Sequence, residues 1–255
     1  MLSDKPLAGR AALVSGSSGG LGFATATALA DLGAAVAITE VPDQRELAEE
    51  AVRRLHGSGA DAIALDLDVR DVGSVEACVA ECCTRWSGLD ILVNNAGVNI
   101  RKPALDITPS DWDAVLSVNL RGAFFLAQAA AHVMAPRGSG KIINVASMFG
   151  LVGGTDRAAY ATSKAGLIGL TRCLGLEWAR FGIQVNAVAP SFVETPLTAA
   201  LLTQPGARAE ILSRTPAGRL AEVGEIARTI AFLATPGTDI ITGTTLAVDG
   251  GWTAQ

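Results

Sequence analysis

Cysteine, histidine and tyrosine are scarce in this chain of 255 residues, and their scarcity excludes several kinds of site. The four cysteines are Cys78, Cys82, Cys83 and Cys173. Three of them crowd one predicted helix, a spacing that suits neither a disulfide framework nor a zinc ribbon and favours reduced, structural thiols. The two histidines, His56 and His132, have no metal-ligand spacing around them. We therefore predict that the chain has no metal site.

The chain also lacks a basic block and a long uncharged apolar run. It has 20 basic and 25 acidic side chains and a net charge of −5, which argues against nucleic-acid and anionic-membrane partners. The richest apolar stretch, 119–136, is interrupted by Arg121, Gln128 and His132, and the first six residues lack the apolar core of a secretion signal. These observations predict a cytoplasmic protein with no membrane span.

Short β-branched runs alternate with longer amphipathic stretches along the whole chain. The strand candidates are 11–15, 35–40, 62–67, 89–93, 141–146, 183–189 and 245–248. These runs are almost continuously apolar, as expected of parallel strands that are covered on both faces. Their alternation with helical patterns predicts an α/β fold, a single doubly wound parallel sheet of about seven strands with helices on both faces. No Pro/Ser-rich linker divides residues 1–255, so we predict one domain.

Two stretches depart from this alternation. Residues 195–216 follow the sixth predicted strand and carry several leucines; we expect a small helical lid there, because ligands of open α/β sheets bind beyond the carboxyl ends of the strands. The alternative is a helical hairpin packed as ordinary core. Residues 158–178 are apolar around most of the predicted helix. A subunit interface would cover such a helix, and so would deep burial within one chain.

A glycine-rich turn joins the first strand to the first helix. Glycines at positions 16, 20 and 22 allow a tight turn and let backbone N–H groups approach a pyrophosphate at the helix N-terminus. Glu40 ends the second strand, where a carboxylate accepts the ribose hydroxyls of NAD and repels the extra phosphate of NADP. Glycine turns that serve only packing, and a merely solvated Glu40, are the alternatives. The spacing predicts NAD as the cofactor.

Several motifs in order along the chain resemble the short-chain dehydrogenase/reductase family. They are Gly16-x-x-x-Gly20-x-Gly22, Asn94-Asn95-Ala96-Gly97, Ser147, Tyr160-x-x-x-Lys164 and Val248-Asp249-Gly250-Gly251. Two positions depart from the family pattern. Ser15 stands where threonine is usual and should preserve the hydroxyl, and Ser191 replaces the glycine of a Pro-Gly pair beside the nicotinamide, which should stiffen or displace that loop.

Tyr160, the only tyrosine, and Lys164 lie four residues apart, so a helix places them on one face. A phenol has a pKa of about 10, and we expect a neighbouring ammonium to favour the phenolate and lower that pKa. Tyr160 would then exchange a proton with the substrate alcohol. Such a pair alone is common and usually inert, but Ser147 follows the fifth strand and its hydroxyl can hold the substrate oxygen.

The resemblance implies further roles. Asn119 corresponds to the residue that holds a water for proton relay to Lys164, and hydride passes to or from the nicotinamide. It also implies a homotetramer. The residues that the resemblance assigns to cofactor binding are Gly16, Ser18, Gly20, Leu21, Gly22, Glu40, Asp68, Val69, Asn95, Ala96, Gly97, Tyr160, Lys164, Pro190, Val193 and Thr195.

The substrate is less well defined, because the family handles many alcohols and ketones. Segments such as Arg101-Lys102-Pro103 and Thr215-Pro216-Ala217-Gly218-Arg219 resemble the gluconate and 2-deoxygluconate (sugar-acid) branch. Arg101, Lys102 and Arg157 could meet a substrate carboxylate, or they could be solvated loop charges. We therefore expect a sugar acid or a polyol. The alternatives are a 3-oxoacyl thioester reductase, and a dinucleotide-binding sensor or scaffold without turnover.

Overall fold

The structure, a computed structural model, describes residues 5–254, in which strands and helices alternate. The strands are β1 (Ala11–Val14), β2 (Ala35–Glu40), β3 (Ala62–Asp66), β4 (Ile91–Asn94), β5 (Gly140–Val145), β6 (Ile183–Pro190) and β7 (Thr245–Val248). The helices are α1 (Gly20–Asp31), α2 (Arg45–Gly57), α3 (Val72–Trp86), α4 (Pro109–Leu116), α5 (Ala123–Met134), α6 (Ala158–Trp178), α7 (Pro196–Leu202), α8 (Ala207–Ser213) and α9 (Val223–Ala234). Every predicted strand forms, with ends within two residues of those expected.

The seven strands form one parallel sheet in the order β3-β2-β1-β4-β5-β6-β7. Leu13 of β1, for example, lies beside Ala37 of β2 on one side and Leu92 of β4 on the other. From β1 the chain adds strands first towards one edge of the sheet, β2 and β3, and then towards the other edge, starting with β4. This change between β1 and β4 opens a crevice at the carboxyl ends of the two strands. This arrangement confirms the predicted doubly wound, Rossmann-type fold.

Helices cover both faces of the sheet, and each face has its own apolar core. On one face, residues of α1, α2 and α9 such as Leu29, Leu55 and Ile230 pack against the sheet. On the other, residues of α3, α5 and α6 do so, including Cys78 and Leu126. The cysteine thiols are free. A hydrogen bond with Cys78, together with burial, raises the pKa of the Cys82 thiol, which fits the prediction of structural thiols.

One long helical stretch runs from Pro109 to Arg137 and consists of α4, a π-helical turn at Ser117–Gly122, α5 and a 3-10 turn at Ala135–Arg137. It begins at Pro109, where the Thr108 and Asp111 side chains cap each other's backbone N–H groups. By length and composition this stretch could span a membrane, since an 18-residue window within it has a mean hydropathy of 1.3, although 44% of that window is buried inside the protein. Its residues Leu126 and Met134 pack in the core of the fold.

Residues 195–216, the predicted lid, contain the two short helices α7 and α8 beyond the carboxyl end of β6. Ile211 of α8 is buried against Met148, Phe192 and Trp252. Leu201 and Leu202 of α7 pack on the same cluster. The segment therefore lies beyond the carboxyl end of β6 and shares in a small core there, and its role as a lid stays a prediction.

Candidate active site

The glycine turn after β1 is packed so closely at Gly22 that a side chain there has no room. A Cβ atom at Gly22 would lie 2.4 Å from the carbonyl oxygen of Gly16 and 2.6 Å from Nδ2 of Asn95. The Asn95 amide donates hydrogen bonds to the carbonyl oxygens of Ser15 and Gly16, at 2.9 and 2.8 Å. The Ser15 hydroxyl accepts from the backbone N–H groups of Asn95 and Ala96, both at 3.0 Å, so the serine does preserve the hydroxyl function.

This turn opens into a cleft of about 600 Å³ at the carboxyl edge of the sheet. Every residue that the resemblance assigned to cofactor binding lines this cleft, and so does Ser147. The crowded turn at Gly22, with the N-terminus of α1 behind it, is a cradle in which backbone N–H groups can approach a phosphate. The residues present therefore fit a nicotinamide dinucleotide. Sequence reasoning had not singled out Val98, Val118 or Arg70, which also line the cleft.

Two carboxylates border the part of the cleft beyond the glycine turn. Glu40 ends β2, and its Oε2 accepts a 2.7 Å hydrogen bond from the Ser18 hydroxyl. Asp68 follows β3 and forms an ion pair with Arg70, with 2.6 Å between Oδ2 and a guanidinium nitrogen. The hydrogen bond from Arg70 lowers the pKa of the Asp68 carboxyl. Arg70 comes only two residues after Asp68, which was the available signal for its presence in the cleft.

Helix α6 places Lys164 and Tyr160 on one face, with Lys164 Nζ 5.8 Å from the centroid of the Tyr160 ring. The Lys164 ammonium donates a 2.7 Å hydrogen bond to the carbonyl oxygen of Val145, the last residue of β5. Because the side chain is buried, the pKa of Lys164 falls from 10.5 to about 8. Its proton is therefore held much less tightly than on an exposed lysine.

The pKa of Tyr160 does not move in the expected direction. Burial raises it, while a hydrogen bond with Ser147 and the positive charge of Arg157 act to lower it. The expectation that Lys164 makes this phenol acidic is therefore corrected, because in the protein alone the loss of solvation has the larger effect. The ammonium of Lys164 is directed to the carbonyl of Val145 rather than to the phenol.

Ser147 and Asn119 also lie close to this pair of residues. Ser147 comes two residues after β5, and its hydroxyl accepts a 3.2 Å hydrogen bond from the backbone N–H of Phe149. Asn119 lies in the π-helical turn, and its amide bonds both the N–H and the carbonyl of Val98 and also the Ser163 hydroxyl, at 2.8, 2.9 and 3.0 Å. The two amide hydrogens of Asn119 thus link Val98, in the segment after β4, to Ser163 in α6.

The predicted substrate residues are not equivalent in the structure. Lys102 forms an ion pair with Asp111, with 2.6 Å between Nζ and Oδ2, so its charge is already compensated. Arg101 and Arg157 line a small second cavity that shares Ser147 and Tyr160 with the large cleft. Arg157 is buried, and its guanidinium lies over the ring of Phe149 at 4.7 Å.

Across residues 5–254 there is no cluster of three or more histidine, cysteine, aspartate or glutamate side chains that could hold a metal ion. His56, one of the two histidines, is bonded through Nε2 to the carbonyl oxygen of Ala62 at 2.9 Å.

Comparison with known proteins shows the family to which the chain belongs. The family model described as enoyl-(acyl carrier protein) reductase matches residues 16–253. The chain is 38% identical to 2-dehydro-3-deoxy-D-gluconate 5-dehydrogenase of Escherichia coli (strain K12), over 100% of both chains. It is 40% identical to cis-4-hydroxycyclohexanecarboxylate dehydrogenase of Sinomonas cyclohexanicum, over 96% of this chain and 97% of the relative.

Other similar proteins are named for other substrates. A 3-oxoacyl-(acyl-carrier-protein) reductase of Staphylococcus aureus (strain N315) is 38% identical over 95% of this chain and 97% of its own. The crystal structure of a gluconate 5-dehydrogenase from Burkholderia cenocepacia J2315 in complex with NADP and tartrate has a TM-score of 0.94 and 40% identity, and the match covers 99% of this chain and 98% of that one. With the same fold and with relatives matched over almost its full length, the chain belongs to the short-chain dehydrogenase/reductase family of oxidoreductases that act on CH–OH groups.

Proposed function

We propose that this protein is an NAD-dependent dehydrogenase of a secondary alcohol, with a sugar acid or a polyol as its substrate. The observation that carries the proposal is the position of Tyr160, which lies with Ser147 and Lys164 on the wall of a cleft shaped for a dinucleotide. A nicotinamide cofactor supplies, when bound, the hydride acceptor or donor that no side chain can provide.

The side chains around Tyr160 suit proton transfer to and from an alcohol. Tyr160 takes the hydroxyl proton during oxidation and returns it during reduction, while the Ser147 hydroxyl holds the substrate oxygen. Because burial raises the pKa of the phenol, the phenolate requires nearby positive charge. Lys164 and Arg157 are the cations that this chain places there, and Lys164, with its pKa of about 8, can release and regain its proton near neutral pH.

The preference for NAD rests on Glu40. Its carboxylate lies on the cleft wall and would repel a 2′-phosphate, and the nearby Ser18 hydroxyl is already bonded to it. Of the basic residues on the cleft wall, Arg70 is the closest to Glu40 along the chain, and it forms an ion pair with Asp68. The gluconate 5-dehydrogenase described above was crystallised with NADP, which makes NADP the competing cofactor.

The preference for an acid rests on Arg157 and Arg101, which lie beside Ser147 and Tyr160 in the small cavity. The relatives named for 2-dehydro-3-deoxy-D-gluconate and for gluconate act on substrates of this class, which supports the assignment. We also propose that residues 195–216 form a lid over the substrate, that Asn119 supports proton relay to Lys164, and that the protein is a cytoplasmic homotetramer.

The first experiment measures NAD and NADP reduction by the parent protein and by Tyr160→Phe with sugar acids, polyols and cyclic alcohols. We expect the parent to oxidise a member of the panel faster with NAD than with NADP. Tyr160→Phe should lower kcat by about 10²- to 10⁴-fold, because the proton acceptor is lost. Titration of NADH fluorescence should show that the variant still binds the cofactor.

The outcomes separate the alternatives. Equal rates for parent and variant would remove Tyr160 from the mechanism. A marked preference for NADPH, with reduction of a 3-oxoacyl thioester, would favour the thioester reductase that the Staphylococcus aureus relative suggests. Cofactor binding without turnover of any alcohol or ketone would favour a sensor or scaffold.

A further inference from the structure

The small cavity beside Ser147 and Tyr160 combines apolar and basic side chains. Its volume is about 60 Å³, enough for a small polar group. Its apolar lining is formed by Met148, Phe149, Phe192 and Leu201. Its lining also includes Arg101, Arg157 and Asn99 but no carboxylate. A cavity with two guanidinium groups and no acidic side chain favours a negatively charged ligand.

Arg157 is the better placed of the two arginines to receive that charge. It is only 7% exposed, and its guanidinium lies 4.7 and 5.7 Å from the ring centroids of Phe149 and Phe192. Within the described part of the chain it has neither an ion pair nor a hydrogen-bond acceptor. Burial lowers its pKa, and the charge of Arg101 lowers it further. A buried guanidinium with unused N–H groups is satisfied best by a carboxylate, which can accept two parallel hydrogen bonds.

Asn99 is an independent sign of a ligand in the same cavity. Its side-chain oxygen is shielded from solvent and has no hydrogen-bond donor among the residues that the structure describes. Asn99 as a whole is half-buried, but shielded polar atoms in folded proteins almost always have partners, so an unpartnered oxygen on a cavity wall indicates a group that binds there. The partner must donate a hydrogen bond to this oxygen and cannot be the carboxylate itself. A hydroxyl group fits that requirement.

We propose that Asn99 determines substrate specificity by accepting a hydrogen bond from a second hydroxyl of the substrate, while Arg157 binds its carboxylate. The substrate class is therefore a polyhydroxy acid rather than an acid with a single hydroxyl. This inference rests on the proposed function, because it assumes that the reacting hydroxyl lies at Ser147 and Tyr160. An acid with one hydroxyl would leave the Asn99 oxygen without a donor, and a site built to bond a hydroxyl discriminates against a substrate that lacks it.

The test compares the parent protein with Asn99→Leu, which keeps the side chain's size and removes its oxygen. The two substrates are D-gluconate, which has several hydroxyls, and cis-4-hydroxycyclohexanecarboxylate, which has one. With NAD, we expect kcat/KM for gluconate to fall by about 10- to 100-fold, mainly through KM. For the cyclohexane acid kcat/KM should change by no more than about threefold. Similar losses on both acids, or no loss on gluconate, would overturn the proposal.

A second variant, Arg157→Met, separates recognition of the carboxylate from recognition of the hydroxyl. Arg157→Met should lower kcat/KM for both acids by similar factors. It should change kcat/KM for a neutral polyol such as sorbitol much less. Thermal melting and NADH binding of both variants check that fold and cofactor cleft are intact. If the parent oxidises neither acid, the proposed function fails and this inference fails with it. If the parent oxidises gluconate and Asn99→Leu does so equally well, only the inference about Asn99 fails.

Discussion

Among single side chains, Lys164 has an environment that favours its function over the stability of the fold. Its burial lowers the pKa from 10.5 to about 8, which corresponds to about 3 kcal/mol against the charged form at neutral pH. The hydrogen bond from Lys164 to the carbonyl oxygen of Val145, which Lys164→Met would lose, offsets about 1 kcal/mol of this cost. We predict that Lys164→Met abolishes turnover and yet raises the melting temperature of the cofactor-free protein at pH 7 by roughly 5 °C.

The lowered pKa of Lys164 also determines how the stability difference between parent and variant changes with pH. The folded protein binds this proton less tightly than the unfolded chain, so the penalty is complete below about pH 8 and disappears as the pH rises towards 10.5. The advantage of Lys164→Met over the parent should therefore shrink between pH 7 and pH 9.5, as measured by thermal melting at both values. A constant difference, or a less stable variant at pH 7, would contradict the assigned cause.

The sequence predicts some of these side chains much better than others. Tyr160 and Lys164 could be identified because a spacing of four residues fixes their shared face on any helix. Arg157 could be named only as a candidate, because its burial depends on Phe149 and Phe192, which reach it from separate segments. Asn99 was missed, since nothing in its sequence neighbourhood reveals that its oxygen has no donor. The raised pKa of Tyr160 was also missed, because burial is a tertiary property.

At the level of helices and strands, α6 approaches the loop before β7 unusually closely. A Cβ atom at Gly175 would lie 2.7 Å from the backbone nitrogen of Gly243 and 2.8 Å from its Cα atom. That nitrogen donates a 2.7 Å hydrogen bond to the carbonyl oxygen of Val185 in β6, so the loop cannot move freely. We predict that Gly175→Ala lowers the free energy of unfolding by about 1–3 kcal/mol, as measured by urea denaturation.

Gly57→Ala is the matched control, because Gly57 also belongs to a helix and a Cβ atom there would meet nothing within 4 Å. Alanine has the higher helix propensity, so this variant should be unchanged or up to about 1 kcal/mol more stable. The same sign for both variants would show that propensity, and not the contact with Gly243, decides the effect.

Strand positions followed from the sequence because buried parallel strands are short, apolar and bounded by turn residues. The interruption of the long helix by a π-helical turn could not be predicted, because weak helix formers such as Asn119 and Gly122 do not reveal which irregular conformation the helix adopts. The turn is retained where Asn119 bonds to Val98 and Ser163, contacts that exist only once the sheet has formed. The helices within 195–216 were expected, whereas their packing on Trp252 was not.

For the assembled chain, the prediction of a homotetramer concerns the exposed side of α6. Ala165, Cys173 and Leu176 are exposed there together with Arg172, and Leu176 is 82% exposed. We expect these apolar side chains to contact another subunit. We predict that Leu176→Glu shifts the protein to smaller species in sedimentation velocity, because it would place a charge in an apolar contact.

Leu47→Glu is the control, since Leu47 is an exposed leucine on α2, which covers the opposite face of the sheet. It should leave the sedimentation profile unchanged. A parent protein that sediments as a monomer would refute the predicted assembly. An oligomeric parent with an unaffected Leu176→Glu would place the interface elsewhere on the surface.

The presence of one tyrosine in 255 residues has a practical consequence. Isotope-labelled tyrosine would introduce a single NMR reporter, and it would sit at the proposed proton-transfer atom, so the spectrum needs no assignment. The chemical shift of the ring carbon bonded to oxygen would reveal directly whether the phenol is ionised, and at which pH, before and after nicotinamide nucleotide is added.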